Sequence, residues 1–121
     1  MSRFDHYDCS LGCPVEATLE LIGGKWKGVV LYHLIDGTMR FNELHRAAGT
    51  VTQRVLTKAL RELEAAGLVS RTVHPVVPPH VDYALTEKGR TLVPLLLAMR
   101  DWGLEHALPA PPSTLNENIL A

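Results

Sequence analysis

A chain of 121 residues, 46% of them apolar, has the length and composition of a single compact domain. Twelve basic and thirteen acidic residues give a net charge of -1, so the overall charge points neither to a nucleic acid nor to an anionic membrane. The first ten residues are polar, and the densest apolar run, Leu92 to Met99, is shorter than the roughly 20 residues that span a bilayer. We therefore expect a cytoplasmic protein with no membrane contact.

Four helices are predicted in the first half of the chain. Pro14 suits the first turn of a helix that ends at Gly23, and a second helix is predicted from Lys25 to Ile35. A two-turn helix is predicted from Phe41 to Ala48 by its apolar spacing. Thr52 can cap a longer fourth helix, which consists mostly of good helix formers.

After the fourth helix the apolar period changes from 3.6 to 2. The alternation predicts one strand from Val69 to His74 and another from Val81 to Leu85. Between them the run PVVPP, Pro75 to Pro79, cannot continue a ladder, so it is predicted to form the tip of a hairpin.

The last predicted helix runs from Glu87 to about His106, with Thr86 as its cap and Pro94 marking a kink or an early turn. Its apolar side chains extend more than halfway around the helix, which is more surface than one small domain should cover. We expect part of this surface to contact a second copy of the chain, although a helix wrapped by its own domain is the alternative. The apolar residues are Leu92, Val93, Leu95, Leu96, Leu97, Met99, Trp102 and Leu104.

This order of elements is typical of a winged helix-turn-helix. The predicted fold class is mainly α with a small β-hairpin wing, dimeric through terminal helices. We divide the chain into an N-terminal leader (1–12), a winged helix-turn-helix domain with a C-terminal dimerisation helix (13–106) and a Pro-rich flexible tail (107–121).

The fourth helix has one polar and one apolar face. Five polar side chains fall within about 140° on a helical wheel, and the leucines lie almost opposite. From Gly23 to His74, eight Lys and Arg against four Asp and Glu give a local charge of +4. Such a face can neutralise phosphates and read base edges, although a solvated surface is the alternative. The five residues are Gln53, Arg54, Thr57, Lys58 and Arg61.

Two further regions could contact DNA beside this helix. Thr52 lies at the helix N-terminus, where a phosphate can bind. The hairpin adds Arg71, His74 and His80, which could approach the minor groove or the backbone.

The runs GGKW, RFNEL, LTKALRELEAAGLV and YALTEKG together resemble the HxlR-type family of MarR-like winged-helix bacterial transcriptional regulators. The resemblance extends from Cys13 to about Gly103. It implies a homodimer that binds a pseudo-palindromic operator, usually as a repressor but sometimes as an activator. It also implies a wing from Arg71 to His80 and a recognition helix that contains Thr52, Gln53, Arg54, Thr57, Lys58 and Arg61.

Cys13 and Cys9 are the two cysteines of the chain. Cys13 directly precedes Pro14 at the start of the first helix, where the helix dipole favours a thiolate. The resemblance implies a sensor, because several family members use a cysteine at this place to detect electrophiles, quinones or oxidants. For Cys13, structural packing is an equal alternative, and Cys9 has at most the role of a resolving thiol.

Other functional classes have less support in the sequence. His6, Cys9 and Cys13 could hold a metal ion, but they lack the second ligand cluster of a paired motif, so we expect no metal and no cofactor. No catalytic signature is present, and we expect no enzymatic activity.

The expected partners are double-stranded DNA, a second copy of the chain and an unidentified small-molecule or oxidant inducer. A winged-helix protein-interaction module without specific DNA binding is the alternative.

Overall fold

The computed structural model describes residues 12–109, which form six α-helices, a three-stranded sheet and a π-helical turn. Cys9, most of the predicted leader and the tail from residue 110 lie outside the described residues. No helix within 12–109 is both long and apolar enough to cross a membrane. In chain order the elements are α1 (Pro14–Ile22), α2 (Lys27–His33), β1 (Met39–Arg40), α3 (Phe41–Ala48), α4 (Gln53–Ala65), β2 (Val69–His74), β3 (His80–Leu85), α5 (Glu87–Arg90), α6 (Val93–Trp102) and the π-helical turn (Gly103–Ala107).

The two helices α3 and α4 are joined by a short turn with defined hydrogen bonds. The backbone N–H of Arg40 donates to Glu43 Oε1 at 2.8 Å, which fixes the start of α3. His45 Nε2 lies 2.7 Å from the carbonyl oxygen of Val51 and so links α3 to the turn. Thr52 caps α4 as predicted, because its Oγ1 accepts the N–H of Val55 at 3.2 Å.

The core lies between α2, α3, α4, α6 and the sheet. The apolar face of α4 is buried, which confirms its predicted orientation and leaves the opposite face of the helix in solvent. Leu44 of α3 and Leu96 of α6 pack against the same cluster. The largest fully buried side chains are Val30, Leu31, Leu34, Leu44, Leu56, Leu60, Leu63, Leu68 and Val69.

The sheet has the order β1-β3-β2 and is antiparallel throughout. The wing strands β2 and β3 form the predicted hairpin, with Val69 opposite Leu85 at its base and His74 opposite His80 at its tip. The third strand was not predicted from the sequence: β1 adds only two residues, with Met39 opposite Tyr83. The wing is therefore joined to the domain by a third strand along the middle of β3.

Two predicted helices differ from the structure. The predicted helix from Lys25 to Ile35 is regular only from Lys27 to His33. The predicted helix from Glu87 to His106 is divided into α5, α6 and the π-helical turn. Pro94 lies in the first turn of α6, where its missing N–H needs no partner, so it marks a helix start rather than a kink. Thr86 does cap α5, accepting the N–H of Gly89 at 3.0 Å.

Candidate nucleic-acid interface

The structure gathers the predicted residues of α4 on one open surface, which we call the α4 face. It consists of Thr52, Gln53, Arg54, Thr57, Lys58 and Arg61. Thr57 is half-buried and the other five residues are exposed. All of them except Thr52 line one shallow depression along the helix. The face is rigidly presented, because the opposite side of α4 is held in the core.

One acidic residue lies at the edge of the α4 face. Glu62 Oε2 is 3.8 Å from Lys58 Nζ, and Glu62 Oε1 is 3.7 Å from Lys27 Nζ. Exposed pairs of this kind contribute at most about 1 kcal/mol, so Lys58 can exchange the carboxylate for a phosphate at little cost. Within residues 12–109, Arg54 and Arg61 form no ion pair. Two guanidinium groups of the face are therefore available to an anion.

Arg71 extends this basic surface from α4 to the wing. It lies on β2 and, together with Thr57, Arg61, Glu64 and Tyr83, lines a depression of about 350 Å³ between α4 and the sheet. Arg71 and Arg61 thus face the same depression from two different elements. This juxtaposition follows from the packing of β2 against α4.

The two wing histidines are not part of the α4 face. The strand pleat turns His74 and His80 to the face of the sheet opposite Arg71. His74 Nε2 lies 2.9 Å from Asp82 Oδ2, and His80 Nε2 lies 3.9 Å from Asp82 Oδ1. Contact of these histidines with DNA stays a prediction. Asp82 was not identified from the sequence as a neighbour of these histidines. Its position two residues after His80 in the strand pattern indicates that both side chains share one face of the sheet.

Cys13 lies at the N-cap of α1 and is partly exposed. Its carbonyl oxygen accepts the N–H of Ala17 at 2.9 Å, but its side chain makes no capping hydrogen bond. The thiol is thus at the helix N-terminus, as the sequence predicts, and is accessible to a reagent.

Several large apolar side chains of α1, of α6 and of the π-helical turn and residue that follow it are exposed. We call these side chains together the terminal-helix surface. Trp102 and Leu104 are each 63% exposed, and Val15 is 64% exposed. By contrast, Leu96 of α6 is buried in the core, so α6 has one covered and one uncovered apolar side. The surface comprises Val15, Leu19, Leu95, Met99, Trp102, Leu104 and Leu108.

Comparison with known proteins gives a consistent result. The HxlR-like helix-turn-helix family model matches residues 21–110. The HTH-type transcriptional regulator YybR of Bacillus subtilis is 61% identical over 92 residues, which cover 76% of this chain and 74% of that protein. An HTH-type transcriptional regulator of Methanothermobacter thermautotrophicus is 53% identical over 91 residues, covering 75% of this chain and 70% of that protein.

Solved structures agree with the sequence comparison. The redox regulator HypR in its oxidized form superimposes with a TM-score of 0.76 at 57% identity, covering 80% of this chain and 100% of that chain. The reduced form of the transcriptional regulator YodB from B. subtilis gives a TM-score of 0.68 at 35% identity, covering 82% of this chain and 98% of that chain. The winged helix-turn-helix predicted from the sequence is thereby confirmed, and the chain belongs to the HxlR-like helix-turn-helix family of transcriptional regulators.

Proposed function

We propose that the protein binds a pseudo-palindromic operator as a homodimer and represses transcription from it. Each protomer places α4 in the major groove, with Arg71 of the wing near the adjacent backbone. The observation that carries this proposal is the α4 face: three cations and three hydrogen-bonding side chains on one surface, oriented by a buried stripe on the other side of the helix. The protein acts in the cytoplasm, and its role is regulatory rather than catalytic.

The residues of the α4 face divide the work of recognition by their chemistry. Lys58 and Arg61 supply positive charge to phosphates, which gives affinity without sequence information. Gln53 and Arg54, in the first turn of α4, have the amide and guanidinium groups that pair with adenine and guanine edges. The hydroxyl oxygen of Thr52 accepts the N–H of Val55, so its own proton is left to donate to a phosphate oxygen.

The terminal-helix surface supports the homodimer. Its exposed residues lie on α1, on α6 and just beyond α6, and they include the large indole of Trp102. A soluble monomer rarely leaves several large apolar side chains of two helices uncovered, so a second copy would bury them. A symmetric pair would then present two α4 helices to half-sites about one DNA turn, roughly 34 Å, apart.

Selection of genomic fragments by the purified full-length protein tests the proposal. We expect enrichment of fragments that share an inverted repeat, and a hydroxyl-radical footprint with two protected half-sites about one turn apart. A winged helix that recognises only a protein partner would retain no fragment above background at low salt. Retention of all fragments alike would also contradict a specific operator.

We also propose that Cys13 is a thiol switch of this regulator. HypR, a related structure, is a redox regulator. In this chain the partly exposed Cys13 occupies the N-cap position of α1, and α1 carries Val15 and Leu19 of the terminal-helix surface. A modified thiol would therefore displace α1 at the dimer interface and change the spacing of the two α4 helices.

Gel-shift titrations before and after treatment with a quinone test this switch. A quinone alkylates one thiol, so the wild type and Cys9→Ser should both lose operator affinity, whereas Cys13→Ser should keep it. Diamide requires a second thiol, and an effect on the wild type that disappears in Cys9→Ser would identify Cys9 as the resolving thiol. Unchanged affinity after alkylation of Cys13, verified by mass spectrometry, would show that Cys13 is only a packing residue.

A further inference from the structure

The tip of the β2–β3 hairpin carries three metal-ligating side chains on one face of the sheet. His74 and His80 are the last cross-strand pair, and Asp82 follows His80 by two residues. Along one strand, side chains two residues apart point to the same face of the sheet. Side chains directly opposite on two antiparallel strands also share a face. One ligand atom from each of the three residues lies within 4.8 Å of the others.

We propose that His74, His80 and Asp82 bind a divalent transition-metal ion, with Zn²⁺ as the best fit. Bonds of about 2.0 to 2.1 Å in a tetrahedron place neighbouring ligand atoms about 3.4 Å apart. Asp82 Oδ2 lies 2.9 Å from His74 Nε2, and Asp82 Oδ1 lies 3.9 Å from His80 Nε2, so the two distances are on either side of that value but involve different carboxylate oxygens. Side-chain rotations would bring one oxygen and both nitrogens to a shared ion.

The donor set also fits this class of ion. Imidazole nitrogen suits zinc, copper, nickel and iron, whereas Mg²⁺ and Ca²⁺ prefer oxygen ligands throughout. Two histidines and one carboxylate are a known three-ligand arrangement for zinc, in which a water molecule or an external group takes the fourth position. The site is thus an open one, able to accept an exogenous ligand.

The backbone around the site favours a defined geometry. Five residues join the two histidines, and three of them, Pro75, Pro78 and Pro79, have a φ angle fixed by the proline ring. The imidazole rings are stacked, with centroids 4.5 Å apart and planes inclined by 23°, so at least one ring must rotate before both in-plane nitrogen lone pairs can point at one ion. A restrained hairpin loses little conformational entropy when an ion binds, which favours affinity.

The charges around the site leave the carboxylate available. Arg40 on β1 is opposite Asp82 in the sheet register, yet no ion pair joins them in the part of the chain that the structure describes. The side chains of His80 and Asp82 are 24% and 23% exposed, and that of His74 is 40% exposed. An ion can therefore reach the site from solvent. A His–Asp contact that only closes the hairpin is the competing explanation.

Metal titrations of the untagged full-length protein distinguish the two explanations. Zn²⁺ affinity is measured by competition with a chromophoric chelator, and Co²⁺ is used as a spectroscopic probe of the ligands. We expect one site per chain, and His80→Ala and Asp82→Asn should each weaken binding by more than the roughly 10- to 100-fold that loss of an outer-shell partner costs. His33→Ala, on α2, is the matched control and should bind as the wild type does.

The two cysteines provide the decisive alternative. If a Cys9→Ser/Cys13→Ser double variant loses Zn²⁺ while His80→Ala retains it, the leader holds the ion and the proposal is wrong. If the hairpin holds the ion, the spectrum of the Co²⁺-bound wild type should lack a thiolate charge-transfer band. Equal Zn²⁺ affinity in the wild type and His80→Ala would likewise overturn the proposal.

A measurement on the wild type alone covers the case in which a hairpin variant fails to fold. On addition of Zn²⁺, the imidazole NMR signals of His74 and His80 should shift together, while those of His33 and His45 stay in place. Shifts confined to other histidines, or no shifts, would contradict the site. None of these measurements uses DNA, so this proposal can fail or succeed independently of operator binding.

Discussion

The variants Lys58→Ala and Arg61→Ala should each weaken operator binding by roughly tenfold for each half-site, the value of about one lost charge-assisted hydrogen bond, and so by roughly 100-fold for the homodimer. Both side chains are exposed on the α4 face, so their removal should leave the fold intact. Each lost phosphate contact should reduce the magnitude of the slope of log K against log salt by about 0.9, so a homodimer that loses one contact in each half-site should show a reduction of about 1.8. Fluorescence anisotropy with a selected fragment, repeated at several salt concentrations, measures both quantities.

Arg90→Ala is the matched control for these two variants. Arg90 is also an exposed arginine, but it belongs to α5, outside the α4 face and the wing. The Arg90→Ala variant should bind the operator with wild-type affinity, and the slope of log K against log salt should equal that of the wild type. Equal losses in Arg90→Ala and Arg61→Ala would mean that net charge alone governs binding, and the assignment of the α4 face would be wrong.

Charges placed in the terminal-helix surface should weaken operator binding by a different route, through the oligomeric state. In a Trp102→Glu/Leu104→Glu double variant, two carboxylates would be buried without partners at the proposed interface, and the dimer should dissociate. A monomer engages only one half-site. Operator affinity should therefore fall by at least about 100-fold, because joining two binding modules in one molecule raises affinity by at least about that factor. Sedimentation velocity measures the oligomeric state and anisotropy measures the affinity.

Val77→Glu controls for the added charge. Val77 is 97% exposed in the hairpin loop between β2 and β3, outside the terminal-helix surface, and its substitution should leave the sedimentation coefficient unchanged. A double variant that sediments as a dimer would exclude these residues from the interface. A monomeric variant with undiminished operator affinity would contradict the dimeric binding mode.

The elements that position the α4 face were predictable because they depend on local patterns. The stripe Leu56, Leu60 and Leu63 fixes which side of α4 is buried, and the hydroxyl of Thr52 fixes where the helix begins. The period-2 alternation predicted both wing strands, although the structure buries only Val69 in β2 and only Tyr83 and Leu85 in β3.

The remaining features depend on contacts between distant parts of the chain. The strand β1 has two residues, too few for any period, and exists only because Met39 pairs with Tyr83 more than forty positions away. The division between α5 and α6, by contrast, has a local signal in Pro94, which lies in the first turn of α6. The cluster of His74, His80 and Asp82 requires the hairpin register, and that register follows from pairing rather than from composition.

The central claim is that this regulator recognises one DNA sequence through α4, and a single comparison tests it most directly. The purified protein is titrated against a fragment obtained by selection and against a shuffled fragment of the same length and composition, at the same salt concentration. Specific recognition predicts that the selected fragment binds at least about 1,000-fold more tightly. Equal affinity for the two fragments would contradict the claim, because phosphate contacts alone cannot distinguish them.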